Sequence, residues 1–317
     1  MLRIHSPKRE CREEVYIEFL RVLASFFCMY FFVKDVLNFS EGFVPFSLVS
    51  KRSCIFFMIS GSVLLGKKES LKDIWIKRVL RIGLIILGIS LVILIYRKDF
   101  DYYSWFNKIL YNKVNSYLAF LYVYALVMVC LPFLRIIAQN ISPKAFLCIL
   151  IIEIGNKIAL EVIDVSNLNI LFVVMDSILC MYIGYWLENI VDISWNINFV
   201  DMFFGFSLVI IMFSYWIAEL YLLDILLFIC VFLLVKMLFK KYPPSEVTSR
   251  IICFLGSLTF GIYLLSGPLQ GLSFVVISFW REMSLITCVT IMFIIYGMII
   301  AIFKCIPGLG RIVKWFI

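Results

Sequence analysis

The residues of this chain best equipped for chemistry are charged side chains set inside long apolar runs. Glu18 and Arg21 stand three apart in the run that begins at Tyr16, and Arg78 and Arg81 repeat that spacing in the run from Ile74 to Tyr96. A charge at mid-bilayer costs about 2.5–3.5 kcal/mol on insertion scales, so each one requires a compensating role. Residues three apart on a helix share a face, so Glu18 and Arg21 can pair. Guanidiniums are permanently charged forks that suit phosphate oxygens, which makes a nucleotide or coenzyme A arriving from the cytoplasm a natural ligand for Arg21, Arg78 and Arg81. A purely topological reading stands beside this one: arginines at inner helix ends snorkel to the interface and fix orientation.

A proton-transfer group is harder to find. His5 is the only histidine and lies in the polar N-terminal tail. Asp176, in the sixth apolar run, and Glu153, which forms a polar group with Asn156 and Lys157 in the fifth, are the candidates. A buried carboxylate with a raised pKa can accept a proton near neutral pH. The competing reading of both is a paired or pore-lining charge that holds helices together. Tyr30 could donate a hydrogen bond, although an aromatic in a span reads first as packing. The ten cysteines show no metal-ligand spacing, and those inside apolar runs read as small packing residues, so no metal site is expected.

These residues need helices to position them. With 63% hydrophobic and 16% charged residues in 317, and a mean hydropathy of +1.03, the chain has more apolar surface than a soluble core of its size can hide. The expected fold class is all-α, a polytopic membrane protein of about ten transmembrane helices. Apolar windows place spans near Tyr16 to Leu37, Val44 to Leu65, Ile74 to Tyr96, Tyr117 to Ile137 and Ala145 to Val162. Five more lie near Leu168 to Leu187, Ile197 to Ala218, Leu220 to Leu238, Ile251 to Phe274 and Met283 to Phe303. With the N-terminus inside, alternate loops carry about 18 lysines and arginines on the cytoplasmic side against about six outside, which favours an even number of spans and both termini in the cytoplasm. The domain reading is a cytoplasmic tail over 1–14, a transmembrane domain over 15–303 and a basic cytoplasmic tail over 304–317. No removable signal peptide is read at the N-terminus. The net charge of +8 belongs to these inner loops and not to a nucleic-acid-binding domain. Aromatic residues of the outer loop Arg97 to Ser116 read as an interfacial belt, or as a surface for sugar rings.

Six segments in register then resemble the acyltransferase-3 family of integral membrane O-acyltransferases. Glu18-Phe19-Leu20-Arg21 looks like the family's opening acidic-x-Leu-Arg segment, Phe56-Phe57-Met58-Ile59-Ser60-Gly61 like its second-span signature, and Arg78-Val79-Leu80-Arg81 like its Arg-x-x-Arg. Phe120-Leu121-Tyr122, Leu131-Pro132-Phe133-Leu134-Arg135 and Thr259-Phe260-Gly261-Ile262-Tyr263-Leu264 follow in the family's order. Glu18, Ser60, Gly61, Tyr122, Gly261 and Tyr263 are thereby signature positions. The resemblance implies that Arg21, Arg78 and Arg81 bind an acyl-CoA donor, acetyl-CoA foremost. It implies an acceptor hydroxyl on a cell-surface or lipid-linked glycan across a bacterial inner membrane. No permanently bound cofactor and no nucleic acid are implied; the bilayer, the acyl-CoA and the glycan are the expected partners.

In the family a catalytic histidine follows the first-span arginine after ten intervening residues. Eleven steps of helix advance about 16.5 Å and return nearly to the same face, so the arginine holds the coenzyme while the imidazole meets the reacting groups. Here that position is Phe32, which has no titratable proton. Cys54 also replaces a usual proline, Tyr117 a frequent histidine, and Ser266-Gly267-Pro268 stands where a histidine-proline pair is frequent. Two functions follow: O-acetylation of a glycan, or a catalytically inactive relative acting in polysaccharide export or assembly. A general transporter is disfavoured because no pair of interrupted half-helices recurs in the two halves.

Overall fold

A computed structural model describes residues 15–38, 46–67, 69–96, 118–142, 144–146, 148–149, 151–152, 169–189, 205, 209, 221–266 and 285–306. Among these residues every regular element is helical and none is a strand. The helices are α1 (Val15–Asn38), α2 (Phe46–Leu64), α3 (Leu71–Ile74), α4 (Arg81–Tyr96), α5 (Ala119–Asn140), α6 (Asn169–Asn189), α7 (Tyr221–Lys241), α8 (Glu246–Ser266) and α9 (Leu285–Cys305). A π-helical turn, Trp75–Leu80, joins α3 to α4. Among the described residues three stretches, Phe120–Asn140, Glu246–Leu265 and Ile286–Cys305, are long and apolar enough to cross a membrane. The all-helical, membrane-associated class read from composition therefore holds. The expected spans near 145–162 and 197–218 lie outside the described residues apart from a few isolated positions.

Most boundaries fall within two or three residues of the apolar windows, and the ninth window is the exception. It was expected from Ile251, yet α8 starts at Glu246. The Ser245 hydroxyl accepts the Thr248 backbone N–H at 3.2 Å, and Arg250 pairs with Glu246 one turn apart at 2.6 Å. An N-cap and an ion pair thus carry the helix a turn past its apolar stretch, directly after Pro243 and Pro244. The third window likewise begins early, at Leu71, where Ser70 accepts the Asp73 N–H at 3.2 Å.

The helices divide into two compact units, the division falling within α4 at Leu87 and within α7 after Met237. The first unit is built on α1, α8 and α9. Met29, Leu258, Ile262, Val289, Met292 and Tyr296 form its buried core, with Phe26 set against Phe293 at 6.0 Å between ring centroids. Glu18 lies beside Gly256, and Ser25 donates to the Thr259 carbonyl further along both helices, so α1 and α8 run in the same direction. Ser257 accepts from Lys304 while Ile262 lies against Gly297, so α8 and α9 run oppositely. Gly256 is the close approach here: a Cβ at that position would stand 3.0 Å from the Cβ of Glu18.

The second unit is built on α2, α3, the π turn, α5, α6 and α7 as far as Met237. Its tightest contact is between α2 and α6. A Cβ on Gly61 would collide with the Met181 backbone, 2.6 Å from its Cα, and a Cβ on Gly184 would collide with Met58, 2.7 Å from its Cα. Each methionine sits three residues before the glycine of its own helix. This reciprocal pattern sets Gly61 level with Gly184 at the helix crossing, and a third contact makes the two helices parallel. Gly66 confirms the sense, lying against Tyr185 and Asn189 at the other end of the contact. Small residues that let backbones meet are a standard means of joining helices where lipid removes the hydrophobic drive. Helix α5 agrees in direction, since Phe57 packs on Phe120 and Tyr124 while Arg135 reaches Leu64; on α7, Lys236 reaches Leu187 and Glu188. The C-terminal ends of α2, α5 and α6 thus gather at one end of the unit, together with the Lys236 turn of α7.

Candidate functional site

At that gathered end the polar side chains converge. Arg78, on the π turn, donates to Glu69 through Nε at 3.3 Å and Nη2 at 2.8 Å. Arg135, near the end of α5, donates to the same carboxylate through Nη2 at 3.0 Å, and its Nε donates to the Leu64 carbonyl at 2.9 Å. Glu69 therefore sits between two guanidiniums. Gln139, one turn beyond Arg135, donates to the Leu65 carbonyl at 3.1 Å. These two side chains cap carbonyls at the end of α2, of which that of Leu64 also accepts the Lys67 backbone N–H at 3.3 Å. Arg135 is 6% exposed, and its third nitrogen, Nη1, is buried with no hydrogen-bond partner. The same end holds a second buried donor without a partner, Trp186 Nε1, whose ring stacks on Phe146 at 5.9 Å.

Arg81 caps the π turn, its backbone N–H bonded to the Arg78 carbonyl, and its guanidinium lies within electrostatic reach of Arg78 and Tyr124. Uniform α-helical spacing predicts one shared face for Arg78 and Arg81. The π turn widens the backbone at this step; Arg78 is taken up by Glu69, and Arg81 makes no ion pair among the described residues. Arg21 belongs to the first unit and pairs with Glu18 at 2.5 Å, as their spacing predicts. Its helix α1 runs unbroken through position 32.

The other expected positions divide between packing and places apart from the arginines. Asp176 is part-exposed on α6, thirteen residues before Asn189, which puts it about 20 Å along the helix from the polar end. Glu153 lies outside the described residues. Gly61 is the helix contact described above, Ser60 is its part-buried neighbour, and Tyr122 is part-buried on α5. Gly261 and Tyr263 are buried in α8, and Tyr30 packs against the core of the first unit. Among the described residues no three histidine, cysteine or acidic side chains are grouped to hold a metal. Sequence reasoning did not single out Glu69 and Arg135 as partners; the one signal was an acidic residue alone in the basic stretch Lys67 to Lys72.

Burial pushes the Glu69 carboxyl up, but the hydrogen bonds and charges of Arg78 and Arg135 outweigh that effect and hold it below its ordinary value of 4.5. A folded value below the unfolded one means that the folded protein binds fewer protons. The stabilisation is therefore complete above 4.5 and is lost as pH falls through the lowered folded value. Thermal unfolding of the purified protein should show a midpoint that drops below pH 4.5, and Glu69→Gln should lose less over the same interval. Equal pH slopes in the two proteins would refute this linkage.

Compared with known proteins, the chain matches no family model, no curated protein and no solved structure. The geometry stands on its own. What it offers chemically is a cluster of fixed guanidiniums with more donors than acceptors, an arrangement for holding anions and not, in itself, for moving protons.

Proposed function

We propose that the protein is a ten-span inner-membrane protein of the acyltransferase-3 type, with both termini in the cytoplasm, which takes an acetyl group from acetyl-CoA to a hydroxyl of a surface or lipid-linked glycan. The observation that carries this reading is the pairing of Arg78 and Arg135 on Glu69, with Arg81 within electrostatic reach of Arg78, at the end of the second unit that we read as cytoplasmic. Helix directions support the span count: α2, α5 and α6 run one way, as second, fourth and sixth spans would. In the first unit α1 runs with α8 and against α9, as first, ninth and tenth spans would. Arg78 and Arg81, in the second unit, are the residues proposed to grip the coenzyme's phosphates; Arg21, in the first unit, is proposed as a donor-binding residue on the family resemblance alone.

A second reading is favoured by one specific observation, the phenylalanine at position 32. Under it the protein keeps a coenzyme site and performs no transfer, acting instead in glycan export or assembly. Membranes containing the protein, incubated with labelled acetyl-CoA and candidate glycans, separate the two. Labelled glycan supports the enzyme; coenzyme A binding without transfer supports the inactive relative. Neither label nor binding sinks both. Arg78→Ala is expected to weaken coenzyme A binding about tenfold, the equivalent of one charge-assisted hydrogen bond. Transfer that survives Phe32→Ala but fails in Asp176→Asn would assign the base to Asp176.

A further inference from the structure

We infer that Glu69 is an exchangeable internal anion, occupying the place on Arg78 and Arg135 that a phosphate group of a ligand takes. This rests on the reading of the arginine end as a ligand site and names its regulation and a further binding residue, Arg135.

Charge and donor counts carry the inference. Two guanidiniums face one carboxylate, which leaves the cluster with an uncompensated positive charge. A carboxylate has two acceptor oxygens, and both are taken: Oε1 by Arg78, Oε2 by Arg78 and Arg135. Arg135 Nη1 remains buried without a partner although the rest of its guanidinium is held on both sides. A buried guanidinium nitrogen left unmade is an expensive feature to keep. A phosphate dianion has the charge to match two arginines and a third oxygen to accept from the orphan nitrogen. Glu69 itself is held at the edge of the cluster, on the short non-helical stretch between α2 and α3, with 27% of its side chain exposed. Arg135, in contrast, is fixed inside α5. The carboxylate is thus the member that can leave while the arginines stay. The phosphate can come from a soluble ligand such as coenzyme A or from an acidic phospholipid headgroup.

The test uses the purified full-length protein in detergent and titrates inorganic phosphate against its thermal midpoint, at ionic strength held constant with chloride. Phosphate should raise the midpoint. Glu69→Gln, which removes the competing charge and keeps one acceptor oxygen, should lower the half-saturating concentration about tenfold, and Arg135→Lys should abolish the response. Should Arg135→Lys fail to fold, Arg78→Lys at the more exposed guanidinium takes its place. An unchanged or weaker response in Glu69→Gln overturns the inference, since a carboxylate that merely held the arginines together would act that way. Coenzyme A and vesicles containing phosphatidic acid, run as parallel probes, identify the source: whichever is tightened by Glu69→Gln and displaced by inorganic phosphate supplies the group. A phosphate response with no coenzyme A response supports the exchange and sinks the acyl-CoA reading. Absence of any Glu69-dependent response sinks the exchange, while labelled transfer to a glycan would still stand on its own.

Discussion

Replacing Gly61 by alanine is expected to destabilise the second unit by about 1–3 kcal/mol, and Gly61→Leu to prevent folded protein from accumulating. The obstacle is backbone, which cannot swing aside: the new methyl would lie in the Met181 peptide, 2.6 Å from its Cα. The two helices must move apart along their whole contact, which also opens the packing of Ser177, Cys180 and Ile183, all buried. Gly184→Ala should do the same from the other side, against Met58. Because either methyl already forces the separation, the double replacement should fall short of the sum by about 1 kcal/mol, the coupling expected of residues in contact. Gly83 and Gly88 provide the control, since a Cβ at either meets nothing within 4 Å. There alanine should be neutral or gain up to about 1 kcal/mol from helix propensity. Unfolding in mixed micelles, followed by tryptophan fluorescence, gives all five values. Equal effects at Gly61 and Gly83 would mean that the close helix contact is not present in the folded protein.

Removing the Glu69 carboxylate altogether has the largest expected effect in the polar cluster. Glu69→Leu leaves the Arg135 guanidinium, 7% exposed, buried with neither counter-charge nor acceptor beyond the Leu64 carbonyl, and should cost about 3–5 kcal/mol. Arg135→Met is expected to cost less, about 1–3 kcal/mol. The carboxylate keeps both of its bonds from Arg78, and the main loss is the donor to the end of α2. The order of the two variants is the point of the measurement. A larger loss from Arg135→Met would mean that the Leu64 contact, and not the charge balance, governs this end of the unit. Added phosphate should restore part of the loss in Glu69→Leu if the exchange inferred above takes place.

The extent of the described helices was legible along the sequence because bilayer solvation writes a long apolar window for each span, as at Ala119–Asn140 and Leu285–Cys305. The early start of α8 was not, because its first turn is polar and held by Ser245 and Glu246 rather than by hydropathy. The pairing of Glu18 with Arg21 was legible, being a matter of spacing along one helix. The bond from Arg135 to Glu69 was not: 66 residues separate the two, and only packing of α2 on α5 brings them together. Gly61 was marked by resemblance as a signature residue. Its use, level with Gly184, depends on a register between two helices that no local pattern records.

The shared direction of the helices in the second unit has an electrostatic consequence. Each α-helix carries the equivalent of about half a negative charge at its C-terminus. The ends of α2, α5 and α6 lie together, so their macrodipoles add to between one and two negative charges at the arginine end. Arg135 and Gln139 sit on the last carbonyls of α2, and the Lys236 ammonium sits on those of α6, at 2.9 Å from Leu187 and 3.1 Å from Glu188. Part of the basic charge at this end is therefore committed to the backbone. The potential that an incoming anion meets is smaller than a count of arginines and lysines implies, and the guanidinium nitrogens not spent on helix ends set how tightly it is held.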